Sequence, residues 1–245
     1  MPLITGTDEA DTLIGTAGSD TILGLDGEDR LDGRGGNDTV NGGDDDDVVI
    51  GGDGHDRVIG GKGEDTLFGG SGNDTLTDVS GNDSFFGGAG DDLIDAGEGN
   101  DVLAGGIGND RLFGREGNDV MSGGDGADRL FGGEGDDDMK GGGANDTLVG
   151  HEGNDVIDGG GGNDRMTGGP GADRFVFVSG RDVVTDFEPG DDEIDLSGIP
   201  GVDDFDDVLD AANQSGGDVV LTFGSRVLTL KDLSIGQLDE DDFIL

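Results

Sequence analysis

Gly105-Gly106-Ile107-Gly108-Asn109-Asp110-Arg111-Leu112-Phe113 ends where another nine residues of the same kind begin. The nine-position pattern fits nineteen times from Gly6 to Val176 without an insertion or deletion. Position six is Asp in every copy, from Asp11 to Asp173, and position eight is apolar in every copy, from Leu13 to Phe175. Position one is Gly except at Asp78 and Ala96, and position four is Gly except at Glu9, Asp45 and Ala144. A fixed period of this kind marks a stacked architecture, in which no unit can bury its apolar side alone.

One unit can be read physically. Glycine at positions one and four, and often two, is expected to let the backbone turn through positive φ without a Cβ clash. Such a turn points carbonyl oxygens inward, and the position-six Asp adds a carboxylate. An all-oxygen shell of carbonyls and carboxylates suits Ca²⁺ better than Mg²⁺. Positions seven to nine are expected to be extended, with position eight on the inner face and its neighbours on the outer one. Strands of three residues must stack in parallel on strands of other repeats around a thin core.

The sequence Gly-Gly-x-Gly-x-Asp-x-apolar-x resembles the RTX nonapeptide, a Ca²⁺-binding β-helix signature, over residues 6–176. That resemblance implies an all-β chain folded as a right-handed parallel β-roll, two nonapeptides per coil, with Ca²⁺ held between the turns of repeats n and n+2. It further implies a ligand set. The carboxylates would come from Asp20, Asp29, Asp38, Asp56, Asp65, Asp74, Asp83, Asp92, Asp101, Asp110, Asp119, Asp128, Asp137, Asp146, Asp155, Asp164 and Asp173. The turn carbonyls would come from positions two and four, represented by Gly52, Gly54, Gly61, Gly63, Gly70, Gly72, Gly106, Gly108, Gly124, Gly126, Gly133, Gly135, Gly160 and Gly162.

Composition adds a constraint. Fifty-eight acidic and 13 basic residues give a net charge of −45, which argues against nucleic acid or an anionic membrane surface as a partner. Without metal, an acidic, Gly-rich chain with so few aromatic residues reads as disordered. Nineteen repeats paired n with n+2 offer at most about seventeen sites carrying about +34, which would leave about −11. Folding and Ca²⁺ uptake are therefore expected to be one event. Cysteine is absent, so no disulfide frame or thiolate site is expected. Met1-Pro2-Leu3-Ile4-Thr5 has neither the basic nor the apolar region of a cleaved secretory signal, and no apolar run is long enough for a membrane span.

Alternation turns position nine outward. Ile50, Phe68, Phe86 and Ala104 are expected along one outer face and Phe113, Phe131 and Val149 along the other, as rung-to-rung cover or as a stripe for a partner. Six arginines at position seven (Arg30, Arg57, Arg111, Arg129, Arg165 and Arg174) are expected to offset neighbouring carboxylates.

Beyond residue 176 the pattern decays. Phe177–Thr185 keeps Gly180, Asp182 and Val184; Asp186 is one extra residue; Phe187–Asp195 keeps Gly190, Asp192 and Ile194. Asp203–Ala212 has helical spacing, and Asp218–Phe223 and Arg226–Lys231 flank Gly224-Ser225, a pair suited to a type II′ hairpin. Asp182-Val-Val-Thr-Asp-Phe with Asp192-Glu-Ile-Asp-Leu-Ser resembles the C-terminal part of serralysin-type RTX proteins. Asp242-Phe243-Ile244-Leu245 resembles the uncleaved C-terminal signal of Gram-negative type I secretion. The expected organisation is a lead-in over 1–5, the roll over 6–176, decayed repeats over 177–195, and a cap with a short helix and a hairpin over 196–245.

Many RTX proteins are enzymes, but this chain carries no matching catalytic motif. His151-Glu152 is followed by Asp155 where the zinc motif His-Glu-x-x-His needs its second His, and no Gly-x-Ser-x-Gly occurs. Paired acids are better explained as Ca²⁺ ligands than as a glycosidase pair. The expectation is a secreted, extracellular Ca²⁺-loaded roll that is not an enzyme. Its expected partners are calcium ions, the type I secretion apparatus, and an extracellular polysaccharide or secreted protein. It would act as a binding or structural module at the cell surface or in a matrix; the alternative is an accessory roll module of a separate extracellular protease or polysaccharide-modifying enzyme.

Overall fold

The computed structural model describes residues 2–245. Successive repeats send their strands alternately into two sheets, one of 14 strands and one of 12, so within the nineteen repeats each strand hydrogen-bonds to the strand 18 residues away. The pairing is parallel and its register is constant: Leu112 lies opposite Leu130, and Leu103 opposite Met121. The one extra residue, Asp186, is absorbed in a turn, and Phe175 lies opposite Ile194 across a 19-residue step. Parallel strands buried on one face need exact repetition to keep that face inward, because a one-residue slip would turn every side chain over.

Position eight supplies the core between the sheets. From Ile22 to Phe175 these side chains are buried, and together with Phe177, Val184 and Ile194 they form one continuous apolar column. Its members are Leu, Ile, Val, Met and Phe, residues that pack on a pleated surface. The strands are longer than the three residues expected from sequence. Arg111–Glu116 is typical, running from position seven through position three of the next repeat, with positions eight and one both buried. Position one is therefore an inward strand position, which fixes the geometry of the site.

Two half-coils close the roll. Arg181–Val184 adds to the 14-stranded sheet and Glu193–Asp195 to the 12-stranded one. The cap then docks on both. Asp218–Phe223 and Arg226–Leu230 form the expected hairpin, Gly224 at its tip taking φ +66°, and Arg226–Leu230 pairs in parallel with Arg181–Val184. A third strand that the sequence did not announce, Ala212–Ser215, pairs antiparallel with Asp218–Phe223. The helix spans Phe205–Ala211 and is capped by Asp204, whose carboxylate accepts from the Asp207 N–H. It buries Val208 and leaves Leu209 exposed, a narrower apolar face than its spacing suggested. Phe243–Ile244 is the last strand of the 12-stranded sheet, against Ile194–Asp195. Among the described residues no helix is long and apolar enough to cross a membrane.

Candidate metal centre

Glycine serves two different purposes in each repeat. At positions two and four it turns the chain: Gly106 and Gly108 take φ of +111° and +137°. A Cβ there would lie 2.2 Å from the Gly88 carbonyl oxygen and 1.9 Å from the Gly90 one, so at these two positions the stacked turns leave no room for a side chain. Position one was expected to turn as well, and it does not; Gly105 is extended. It is glycine for space, because a Cβ on Gly105 would lie 2.4 Å from Asp110 Oδ2 and 2.7 Å from the Gly123 carbonyl oxygen. Gly87 repeats the arrangement, 2.6 Å from both Asp92 Oδ2 and the Gly105 oxygen. Each such cradle is bounded by a carboxylate oxygen and by a carbonyl from the rung 18 residues on.

The position-six carboxylates form two ladders. Asp92 N–H donates to Asp110 Oδ1 at 2.8 Å, and Asp110 N–H donates to Asp128 Oδ1 at 2.8 Å. The series runs to Asp164, whose N–H donates to Asp182, and to Asp173, whose N–H reaches Asp192 across the inserted residue. The other oxygen, Oδ2, is buried and has no hydrogen-bond partner in every position-six Asp from Asp29 to Asp173. Asp47 belongs to this row although it was left out of the expected ligand set; its register was the signal that could have included it. At the start of the roll the oxygens are satisfied differently. Asp11 Oδ2 accepts from Thr7 N–H and Oγ1, and Asp20 Oδ2 from Thr16 N–H and Oγ1. Asp20 keeps an unpartnered Oδ1.

A buried carboxylate oxygen without a partner is strongly unfavourable, and here like charges repeat at every rung. The acidities show the strain. Burial pushes Asp110 up to about 6, against the lowering effect of the Asp92 N–H, while the Asp128 and Asp91 charges push it further up. Asp92 and Asp137 rise to about 7 for the same first cause. A hard cation beside the oxygens would reverse this balance. The donor set of carboxylate and backbone carbonyl oxygens, with cradles a Cβ would fill, fits Ca²⁺.

Two expected turns lack glycine yet keep its conformation: Asp45 and Ala144 at position four take φ of +79° and +77°. Glu9, the third, is not among the residues with positive φ. At position two, Leu25, Arg34, Arg115 and His151 are likewise forced to positive φ. The stack over-determines the turn at these points and carries the strain locally.

Position five makes a ladder that sequence reasoning missed. Asn109 N–H donates to Asp91 Oδ1, Ala127 N–H to Asn109 Oδ1, and Asn73 N–H to His55 Nδ1. Both histidines have structural contacts, since His151 lies 6.4 Å from Phe131, ring to ring. On the outer faces Phe68 stacks on Phe86 at 5.1 Å and Phe113 on Phe131 at 5.0 Å. The Arg115 guanidinium lies 5.2 Å from the Phe113 centroid and pairs with Asp95 at 2.6 Å. Of the six position-seven arginines only Arg174 forms an ion pair among the described residues, with Asp195. The others stand at exposed strand positions and do not offset carboxylates by contact, and the Arg111 guanidinium lies 5.7 Å from the Phe113 centroid.

A family model for the RTX calcium-binding nonapeptide repeat, in four copies, matches residues 5–40, 41–76, 68–103, 77–112, 104–139 and 140–175. Comparison with curated proteins returns no match. Among solved structures, the extracellular lipase LipA from Serratia marcescens is similar at 19% identity and a TM-score of 0.34, over 94% of this chain and 40% of the lipase. This chain thus spans well under half of that enzyme. The AlgE6R3 subunit of the Azotobacter vinelandii mannuronan C5-epimerase is similar at 24% identity and a TM-score of 0.35, over 60% of this chain and 80% of that one.

Proposed function

This chain belongs to the family of RTX calcium-binding nonapeptide repeats, and on that premise we propose that it is a secreted β-roll that folds as it takes up Ca²⁺ outside the cell and serves there as a binding or structural module. The observation that carries the reading is the row of buried, unpartnered Oδ2 atoms from Asp29 to Asp173. A chain of net charge −45 gains little from so thin a core, and Ca²⁺ beside each oxygen removes the repulsion that opposes it. The ions lie between rungs, held by position-six carboxylates and backbone carbonyls; residues 6–176 form the loaded roll, 177–195 close it and 196–245 cap it.

Low cytosolic Ca²⁺ keeps the chain open for export and extracellular Ca²⁺ closes it, at dissociation constants of about 10⁻⁴–10⁻³ M. The export address is the segment Asp242–Leu245. In the folded chain that segment is occupied: Asp242 accepts from the Gly190 N–H, and Phe243 is buried against the end of the core. An address placed there is readable only before folding. The roll itself is not catalytic, which accords with both histidines being engaged in ladder and stack.

Far-UV circular dichroism with chelator and then with millimolar Ca²⁺ tests the central claim. Disorder should give way cooperatively to β-structure; full β-structure in excess chelator would end this reading. Capture from culture medium with and without Ca²⁺ then separates a polymer ligand, as expected for a structural module, from a secreted enzyme, which would make this chain an accessory of that enzyme.

A further inference from the structure

Repeat 78–86 departs from the pattern where departure should be most harmful. Position one is the inward strand position whose missing Cβ leaves the cradle open, yet here it is Asp78. The strand Thr75–Thr77 stops before it, whereas most other strands of the roll continue through position one. Asp78 turns its carboxylate into the cradle of the rung below. A Cβ built on Gly60 would lie 1.9 Å from Asp78 Oδ2 and 2.4 Å from Asp65 Oδ2. In a regular cradle those two places are held by a backbone carbonyl and a carboxylate, as at Gly105. At Gly60 the carbonyl has been replaced by a second carboxylate.

A third acid completes the group. Asp83 Oδ1 accepts from the Asp65 N–H at 2.7 Å, and its Oδ2 is buried without a partner, as is Asp65 Oδ2. Asp65 and Asp83 are 2% and 1% exposed. One ligand atom from each of Asp65, Asp78 and Asp83 lies within 4.8 Å of the other two. The Asp78 carboxylate is fixed in place by backbone donors: Oδ1 accepts from Val79 and Ser80 N–H, and Oδ2 accepts from Gly61 N–H at 3.1 Å. Those N–H groups orient it, occupy Oδ1, and leave acceptor capacity on Oδ2, the oxygen that faces Gly60.

We propose that Asp65, Asp78 and Asp83 form a tri-carboxylate Ca²⁺ site, in which Asp78 takes the place of the backbone carbonyl of the regular site at that rung, the first to fill as Ca²⁺ rises and the point from which the folded stack extends. This rests on the reading of the roll as Ca²⁺-loaded. Ligand charge count and rigidity set the affinity of oxygen-ligand Ca²⁺ sites. Three carboxylates, two buried and one half-buried, around one divalent ion bind it more tightly than carboxylates supplemented by neutral carbonyls. In a stack stabilised by nearest neighbours, an ion bound early between two rungs gives both sides a template.

The test is equilibrium dialysis of the full chain with radioactive Ca²⁺ at free concentrations set by chelator. The native chain should retain one ion at about tenfold lower free Ca²⁺ than the remainder. Asp78→Gly restores the repeat's usual residue, and Asp78→Asn keeps the acceptors while removing the charge; both should lose the early ion and still reach the β-structured state in millimolar Ca²⁺. A single class of sites in the native chain, or an early ion retained in Asp78→Gly, overturns the tri-carboxylate site and leaves the roll's Ca²⁺ loading intact. Absence of Ca²⁺ binding at every concentration overturns both.

Discussion

Asp110 lies in mid-roll and Asp11 at its start, and the ladder gives their carboxylates unequal work. Asp110→Ala removes Oδ1, the acceptor of the buried Asp92 N–H, and Oδ2, the unpartnered oxygen beside Gly105. An orphaned buried donor alone is worth about 1–3 kcal/mol, and the weakened ion site adds to this. Asp110→Asn keeps the acceptor and removes the charge, so it isolates the ion-site share. Asp11 is half-buried and accepts only from Thr7, so Asp11→Ala should lose no more than about 1 kcal/mol. The Ca²⁺ midpoint is a blunt readout for these differences. With on the order of ten ions linked to folding, 3 kcal/mol divided among them moves the midpoint less than about twofold. Urea unfolding at saturating Ca²⁺ reads the whole difference. The expected order of destabilisation is Asp110→Ala, then Asp110→Asn, then Asp11→Ala. Equal destabilisation by Asp110→Ala and Asp11→Ala would refute the shared ladder, and an Asp110→Asn variant as stable as the native chain would refute the need for charge at that rung.

Ca²⁺ removal should be pH-dependent with a defined sign. Burial raises the folded pKa of Asp92 and Asp137 from 3.8 to about 7, so protonation favours the metal-free roll. That stabilisation is fully present below 3.8 and is lost as pH rises through 6 to 7. Chelated protein should be more β-structured at pH 5 than at pH 8, and Ca²⁺ addition near pH 6.5 should release protons measurable in a pH-stat; no release would count against the raised pKa values. Ala144→Gly relieves a residue at φ +77° and should stabilise the loaded roll by about 1 kcal/mol in urea, with a loss pointing to a turn not set by backbone strain. Phe68→Ser with Phe86→Ser should lose about 1–2 kcal/mol, because the rings stack at 5.1 Å while Phe86 stays 38% exposed; a loss beyond 4 kcal/mol on the order of a core deletion would mean the rings are core.

Much of this fold can be read from the order of residues. A period of nine with an apolar residue at position eight marks a stacked architecture with the buried column from Ile22 to Phe175, while the alternating sheets and the 18-residue register were expected from the resemblance to the RTX nonapeptide. The Asp at position six marks the ladder. What the sequence does not display is the direction of each side chain. Nothing in the spelling of position six says that Oδ1 meets the amide 18 residues earlier and leaves Oδ2 unpartnered. Position one looked like another turn glycine, and only the extended backbone shows that it is there for space. Ala212–Ser215 carries no strand pattern; it is held as a strand by the hairpin beside it. The position-seven arginines misled because their strand faces solvent, where pairing brings little.

Constant register makes the surface depend on parity. Phe68 and Phe86 lie on one sheet, Phe113 and Phe131 on the other, because the interval from Phe86 to Phe113 is an odd number of repeats. Excising two neighbouring repeats would shorten the roll and leave every face as it was. Excising one, such as residues 96–104, would preserve the core and the carboxylate spacing but rotate everything upstream by half a coil. Phe86 would then meet Phe113, and two short aromatic stacks on opposite sides would merge into a single four-ring stack. In such a molecule the gain or loss of one repeat rewrites the exterior without altering a single residue that remains.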